Sequence, residues 1–360
     1  MKSTNGIAAP TGFNVALSFE DGVTRFISVT PGQTVADASY RARINIPLDC
    51  RDGACGTCKA FCESGTYDGG DYIDEALSED EADAGYCLPC QMTPESDLVL
   101  RVSGTAEMAK SGIGQFTATL EKLHWYADNT AGLTLSVENR DGLRYLPGQY
   151  MNVKVPGTEE ERSYSFSSGP DADELTFLVR TAPNGVMTTY LKERARPGDA
   201  LVLEGPLGSF FLRDVRRPVL MLAGGTGIAP QLAMLEKIAS SGIAPQFRIH
   251  LAYGVTFDHD LVEVEALERY TETIEGFTFS TIVADPDSAH PKKGYVTQHL
   301  APEHLNDGDV DVYLCGPPAM VDAVRRYWGS EGIRPANFYY ERFAVGVPHA
   351  HAVHPGQDAA

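Results

Sequence analysis

The sequence predicts a multi-domain protein, α+β and α/β in class, built from a small β-grasp domain, an antiparallel β-barrel and a parallel-sheet α/β domain. Three observations carry this. Strand-period runs flank one short helix up to residue 102, β-like runs broken by Gly, Pro and Asp turns fill 115–213, and strand-like and helix-like segments alternate after Arg217. A chain of 360 residues has room for two or three cores.

Residues 13–17 and 24–29 alternate apolar and polar around an Asp21-Gly22 turn, which is a hairpin signal. Thr34 is placed to cap a short helix reaching Arg43, and 98–102 supplies a late strand that closes the sheet. These elements define a first domain over 1–107, with 107–114 as a linker. Strands at 115–122, 133–137, 150–155, 175–179 and 200–204 predict a barrel over 115–215, with turns at Leu146-Pro147-Gly148-Gln149 and Arg196-Pro197-Gly198-Asp199. Strands at 218–223, 247–253, 277–283 and 310–314, with helical segments between them, predict a parallel sheet over 216–345. The tail 346–360 is expected to be disordered, and His349, His351 and His354 in it to be solvated.

Composition excludes several classes. No apolar run approaches the ~20 residues that span a bilayer, and the N-terminus has no basic-then-apolar signal segment, so a cytoplasmic protein is expected. Seven cysteines bunched mostly in one region argue for metal ligation in a reducing compartment, not a disulfide framework. A formal charge of −20 argues against nucleic acid or an anionic membrane as partner and suits a protein that shows a positive patch. Acid is densest at Asp68, Asp71, Asp74, Glu75, Glu79, Asp80, Glu81 and Asp83, a face that serves either docking or solubility.

Cys50, Cys55 and Cys58, spaced by four and two residues and completed by the distant Cys90, follow the plant-type pattern of four thiolates around a [2Fe–2S] cluster. Gly53 and Gly56 let the backbone wrap closely, so that its N–H groups can point at inorganic sulfide. The rival is a structural zinc site made by Cys55-x-x-Cys58 and Cys87-x-x-Cys90, which leaves Cys50 and both glycines without a role. Cys87 and Cys62 are the alternatives to Cys90 as fourth ligand.

Further along, Arg162-Ser163-Tyr164-Ser165 offers an arginine for a phosphate, an aromatic ring to flank an isoalloxazine and a hydroxyl near its reactive nitrogen; the bland alternative is an exposed polar strand. Gly185-Val186-Met187-Thr188 reads as a turn opening a helix, where free N–H groups favour a pyrophosphate, with Met187 and Leu191 packing inward. Gly205 to Phe210 is expected to close the barrel with a tight turn. Gly224-Gly225-Thr226-Gly227 lies between a strand and a helix and suits a dinucleotide's phosphates, although it is not the GxGxxG fingerprint and a purely structural turn is the alternative. Cys315-Gly316-Pro317 ends a later strand and is expected to face the same crevice as Gly224.

Taken in order, the Arg-x-Tyr-Ser, Gly-Gly-Thr-Gly and Cys-Gly-Pro-Pro elements resemble the ferredoxin–NADP reductase superfamily. With a plant-type [2Fe–2S] ferredoxin in front, the chain is similar to the NADH reductase components of aromatic-ring-hydroxylating dioxygenases of the benzoate/toluate type. The resemblance implies that Arg162, Tyr164 and Ser165 contact FAD, that Gly185, Val186, Met187 and Thr188 hold its pyrophosphate, and that Gly224, Gly225, Thr226, Gly227, Cys315, Gly316 and Pro317 meet NADH. Ser165 and Cys315 would tune the hydride step. Phe343, in Tyr340-Glu341-Arg342-Phe343, would lie near the flavin. Cys90 would be the fourth iron ligand, because in ferredoxins that cysteine follows a Gly-Tyr-x-Leu-x segment, here Gly85 to Pro89. An N-terminal ferredoxin and a pyrophosphate turn favour FAD over FMN. NADH is favoured over NADPH because 254–258 offers no Arg or Lys for a 2′-phosphate, His259 being the nearest basic residue. Electrons would pass from NADH through FAD and the cluster singly to a terminal oxygenase component. The alternatives are a reductase of a soluble di-iron monooxygenase and a zinc-stapled, non-redox nucleotide sensor.

Overall fold

The hairpin at the start of the chain forms as its alternation demands. β1 (Phe13–Ser18) pairs antiparallel with β2 (Thr24–Val29), and Asp21 Oδ1 accepts the Val23 N–H at 3.2 Å to fix the turn. The computed structural model describes residues 12–106, 108–110, 113–241 and 246–343. It divides into two units, Met1–Ile113 with Leu207–Ser209, and Gly114–Pro206 with Phe210–Ala360. The barrel and the parallel sheet both fall in the second unit. The tail 346–360 with His349, His351 and His354 lies outside the described residues. Among the described residues no helix is long and apolar enough to cross a membrane.

In the first unit α1 (Val35–Arg41) is capped by Thr34, whose Oγ1 accepts the Asp37 N–H at 3.2 Å. β3 (Ala60–Ser64), β4 (Tyr67–Asp68), α2 (Glu79–Asp83), β5 (Tyr86–Cys87), β6 (Thr93–Pro94) and β7 (Leu98–Arg101) follow. The mixed sheet runs β2-β1-β7-β3-β5, with β1 and β7 parallel. Val15, Leu17, Val29 and Leu100 point inward at the strand period and bury completely, with Val35 of α1 packed beside them. β3 carries too few apolar residues to announce itself, yet it sits between β7 and β5. The segment 108–110, expected to be linker, is a helical turn whose buried Ala109 accepts the Asn45 N–H at 2.7 Å.

The second unit opens with β8 (Gly114–Ala127), β9 (Thr130–Val137), β10 (Tyr150–Lys154), β11 (Glu161–Ser165), β12 (Leu175–Arg180), α3 (Val186–Thr189) and β13 (Ala200–Leu207). β13 continues through Gly205 and Pro206, so the tight turn expected there starts later. The strand order is β11-β10-β13-β8-β9-β12, and an antiparallel bridge between Phe166 and Phe177 joins the two edges. Leu133, Leu135, Met151, Val153, Phe177 and Leu203 fill the interior.

Beyond the barrel come β14 (Val219–Gly224), α4 (Ile228–Ser240), β15 (Ile249–Val255), α5 (Val264–Thr273), β16 (Phe277–Val283), α6 (Pro302–Leu305), β17 (Asp311–Gly316), α7 (Pro318–Glu331) and β18 (Asn337–Arg342). All five strands run parallel in the order β16-β15-β14-β17-β18. Alternate residues serve opposite faces: Met221, Leu251 and Cys315 pack with α4 and α5, while Leu220, Leu222 and Leu314 pack with α7. Every residue of β14 and β17 is buried.

One packing detail has a pH consequence. His250 on β15 stacks on His304 of α6, ring centroids 3.8 Å apart and 6° from parallel, with Thr278 Oγ1 at 2.8 Å from its Nδ1. Burial, then the neighbouring His304, brings His250 down from the ordinary 6.5 to about 4, and burial also lowers His304. The folded protein resists protonation here while the unfolded chain accepts it, so stability is full above about 6.5 and is lost as pH falls toward 4. The thermal midpoint measured across that window should fall less in His250→Gln than in the parent; equal slopes would show that the pair does not titrate on unfolding.

Candidate functional site

In the first unit the chain from Cys50 to Cys58 wraps a small space. Gly53 has φ +79°, and a Cβ there would lie 2.5 Å from the Asp71 carbonyl oxygen and 3.0 Å from Tyr72 Cα, so only glycine fits. The Ile73 N–H donates to the Gly53 carbonyl at 3.2 Å, and Gln91 Nε2 donates to the Arg51 carbonyl at 3.0 Å, which pins the wrap from two sides.

Inside it, the thiols form two pairs. Cys50 is hydrogen-bonded to Cys55, whose N–H also donates to Cys50 Sγ at 3.3 Å, and Cys58 is hydrogen-bonded to Cys90. Donation to their partners, then burial, pushes Cys50 and Cys58 up; accepting those bonds holds Cys55 and Cys90 below the ordinary thiol value. Cys58 also feels the charge of Cys55, and Cys90 that of Cys50, so the four sulfurs share one environment.

Cys87 and Cys62 face elsewhere. Cys87 Sγ donates to the Ala60 carbonyl at 3.6 Å, and burial pushes its thiol up to about 12, while Cys62 Sγ donates to the Ser64 carbonyl at 3.5 Å. The zinc alternative needs Cys87, which is turned away. Among the described residues no three His, Cys, Asp or Glu side chains are arranged to hold a single metal ion. Two facing thiol pairs around a glycine cradle suit the wider binuclear [2Fe–2S] group.

The acidic face needs one correction. Asp68, Asp71, Asp74, Glu75, Glu79, Asp80 and Asp83 are exposed, but Glu81 is a structural residue. Its carboxylate accepts Lys59 Nζ at 2.8 Å and the Ser78 N–H at 3.1 Å, closing the capping box of α2. Tyr72 and Ile73, 38% and 44% exposed, add apolar surface directly over the Gly53 turn.

In the second unit the Arg162-Ser163-Tyr164-Ser165 motif lies on β11, an edge strand of the barrel sheet. Arg162 donates to the Glu161 carbonyl at 2.7 Å and to Glu160 at 2.6 Å, Tyr164 packs on the barrel core, and Ser165 is buried. Ser165 Oγ donates to Glu341 Oε2 at 3.2 Å. Glu341 is the register partner of Cys315 across β17 and β18, and the Phe343 N–H donates to the Gly316 carbonyl at 2.9 Å. Ser165, Cys315, Glu341 and Phe343 thus converge. Burial, then the Glu341 charge, drives the Cys315 thiol well above its ordinary value, so it stays protonated.

The Gly185 turn is tighter than a full helix. Gly185 caps the single turn α3, which continues as a π-turn from Tyr190 to Arg194. Met187 is buried in the barrel core, and Val186 packs beside it. Thr188 Oγ1 accepts the Ala182 N–H at 2.9 Å, with its own O–H left to donate.

Gly225–Gly227 is a 3₁₀ turn feeding α4. A Cβ at Gly227 would collide with the Cys315 carbonyl oxygen, so the strand-end turns of β14 and β17 touch only because this residue is glycine. Gly224, Gly316 and Pro317 lie against one another, as expected for the carboxyl ends of neighbouring parallel strands. Glu341 is the residue that the sequence reading did not single out.

Residues 18–95 match the 2Fe-2S iron-sulfur cluster binding domain family, 117–212 the oxidoreductase FAD-binding domain family and 221–326 the oxidoreductase NAD-binding domain family. The chain is 53% identical over 334 residues to the toluate 1,2-dioxygenase electron transfer component of Pseudomonas putida, covering 92% of this chain and 99% of the relative. It is 46% identical to the 2-halobenzoate 1,2-dioxygenase electron transfer component of Burkholderia cepacia, covering 93% and 98%. The crystal structure of the Amycolatopsis cytochrome P450 reductase GcoB superposes with TM-score 0.68 at 30% identity, covering 91% of this chain and 98% of that one. A chain with thiol pairs in one unit and the Ser165–Glu341–Cys315 junction in the other, and with such relatives along nearly its whole length, belongs to the family of 1,2-dioxygenase electron transfer components, oxidoreductases that bind a [2Fe–2S] cluster, FAD and NAD.

Proposed function

We propose that this chain is the cytoplasmic reductase of a benzoate-type 1,2-dioxygenase, drawing electrons from NADH and handing them singly to the terminal oxygenase component. The observation that carries the reading is the convergence of Ser165, Glu341, Cys315 and the Gly225–Gly227 turn in one unit, in a chain whose other unit holds a set of four paired thiols. When bound, FAD accepts a hydride and releases electrons one at a time, and the cluster takes them singly.

The residues then have these tasks. Arg162 neutralises flavin phosphate, exchanging Glu160 for it, and the N–H groups from Val186 to Thr188 bind the pyrophosphate. Tyr164 would flank the ring, and Ser165, its proton given to Glu341, would offer its hydroxyl oxygen as an acceptor to the flavin's reactive edge. The Gly224–Thr226 and Cys315–Pro317 backbones seat the dinucleotide, and the buried neutral Cys315 keeps water from the face where the hydride moves. Cys50, Cys55, Cys58 and Cys90 hold iron. No side chain has to take up a proton for the transfer.

Similarity to the toluate and halobenzoate components supports a ring dioxygenase of aromatic carboxylates as acceptor. The test is NADH-driven turnover of purified terminal components. A benzoate-type oxygenase should be reduced at least about tenfold faster than a soluble di-iron hydroxylase, and the rate should fall as salt rises, because the exposed acids around Tyr72 and Ile73 steer a positive partner. Faster reduction of the di-iron hydroxylase would overturn the assignment, and a rate indifferent to ionic strength would remove the acidic face from docking.

A further inference from the structure

Asp260 stands in the loop after β15 with its side chain only 1% exposed, and three donors converge on it. Its Oδ1 accepts Asn129 Nδ2 at 2.7 Å and Arg180 Nη1 at 3.3 Å, and its Oδ2 accepts the Phe257 N–H at 3.3 Å; His259 Nε2 lies 3.9 Å from Oδ1. Asn129 sits in the β8–β9 turn, and its carbonyl accepts the Thr181 N–H at 2.8 Å, tying that turn to the end of β12, where Arg180 lies. One buried carboxylate on the parallel-sheet side therefore gathers two barrel elements. Arg180 keeps 44% of its side chain exposed, and its Nη1 comes within 4.0 Å of where a Cβ on Gly225 would stand. A guanidinium has five donors in a rigid fork, so it can spend one on Asp260 and present others at the mouth of the glycine turn.

We propose that Asp260 is a positioning residue for NADH: it holds the Arg180 fork where the dinucleotide's pyrophosphate meets the Gly225 turn. This rests on the assignment of that turn to NADH. Coulomb repulsion alone gives the opposite expectation, since a carboxylate near two phosphates repels them and its removal should tighten binding. Positioning and charge thus predict opposite signs.

The test uses the holoprotein with FAD and iron quantified, and reads the Kd of NAD+ by calorimetry beside KM and kcat for NADH. Arg180→Gln should weaken NAD+ and raise KM by roughly ten- to a hundredfold, the loss of a charge-assisted hydrogen bond. Asp260→Asn should raise both by about tenfold, with kcat within about twofold and cofactor content unchanged. In the double variant Asp260→Asn should add nothing to Arg180→Gln, because it acts through that arginine. A lower KM in Asp260→Asn, or additive losses in the double variant, would overturn the proposal. Should Asp260→Asn fail to fold, Arg180→Lys decides: it keeps the charge but replaces the rigid fork that Asp260 orients by a single ammonium, so it should fall between parent and Arg180→Gln, and parent-like affinity would overturn the idea. Gly225→Ala separates the two levels. If it weakens NAD+ while Arg180→Gln does not, the turn assignment stands and the positioning role falls; if neither changes affinity, both fall.

Discussion

Cys90→Ser should abolish electron delivery to a protein acceptor, by on the order of a hundredfold or more, while NADH still reduces the flavin. Outer-sphere partners alone tune metal sites by ~10–100-fold, and a lost ligand exceeds that. The contrast lies three residues away. Cys87 donates to the Ala60 carbonyl and is flanked by Cys62 and Tyr67, so Cys87→Ser should keep iron content, visible absorbance and delivery rate near parental values. Iron analysis with NADH-driven reduction of a one-electron acceptor checks both variants. Iron lost from Cys87→Ser but retained in Cys90→Ser would exchange their roles.

The second large effect concerns the hydride step. Ser165→Ala removes the hydroxyl oxygen that, with its proton given to Glu341, is left to accept at the flavin edge, and should slow flavin reduction by NADH by about tenfold, the scale of one hydrogen bond at a reacting centre. FAD content should hold, since the proposed phosphate contacts, Arg162 and the Gly185 turn, would lie elsewhere on the cofactor. Glu341→Gln keeps an acceptor for Ser165 and should cost less, and because the two act as a hydrogen-bonded pair, the double variant should be little worse than Ser165→Ala. Stopped-flow reduction at saturating NADH reads this directly. A Ser165→Ala rate within about threefold of the parent would place the hydroxyl outside the reaction.

The pieces legible in the sequence are those whose chemistry is local. Cys50, Cys55 and Cys58 lie within one loop, so their spacing alone carries the geometry, and Thr34 caps α1 through a bond three residues long. The strands of the parallel sheet are short buried runs closed by glycine turns, so β14 and β17 were readable together with their strand-end motifs. The rest depends on pairing across long separations. The Ser165–Glu341 bond spans 176 positions and exists only because β18 adds to the sheet beside β17. β18 carries mostly half-buried aromatic and charged residues and so lacks the apolar run that marked the others.

Glu81 reads as one more surface acid until Lys59, distant in sequence, is seen against it. The segment 108–110 looked like a connector because its anchor, Asn45, lies far upstream. Residues 115–122 were legible only as the first half of β8, since bulges at Leu120/Lys122 and Trp125/Ala127 break the alternation that signals a strand.

We propose that NADH's electron pair is parted within this chain and leaves through the four-cysteine cluster one electron at a time. Anaerobic titration of the holoprotein with NADH, followed by visible absorbance and electron paramagnetic resonance, tests it most directly. The flavin and cluster bands should bleach together, and the paramagnetic signal of a reduced [2Fe–2S] centre should grow with added NADH. Flavin that bleaches fully while an iron-replete sample stays silent at every NADH level would contradict it.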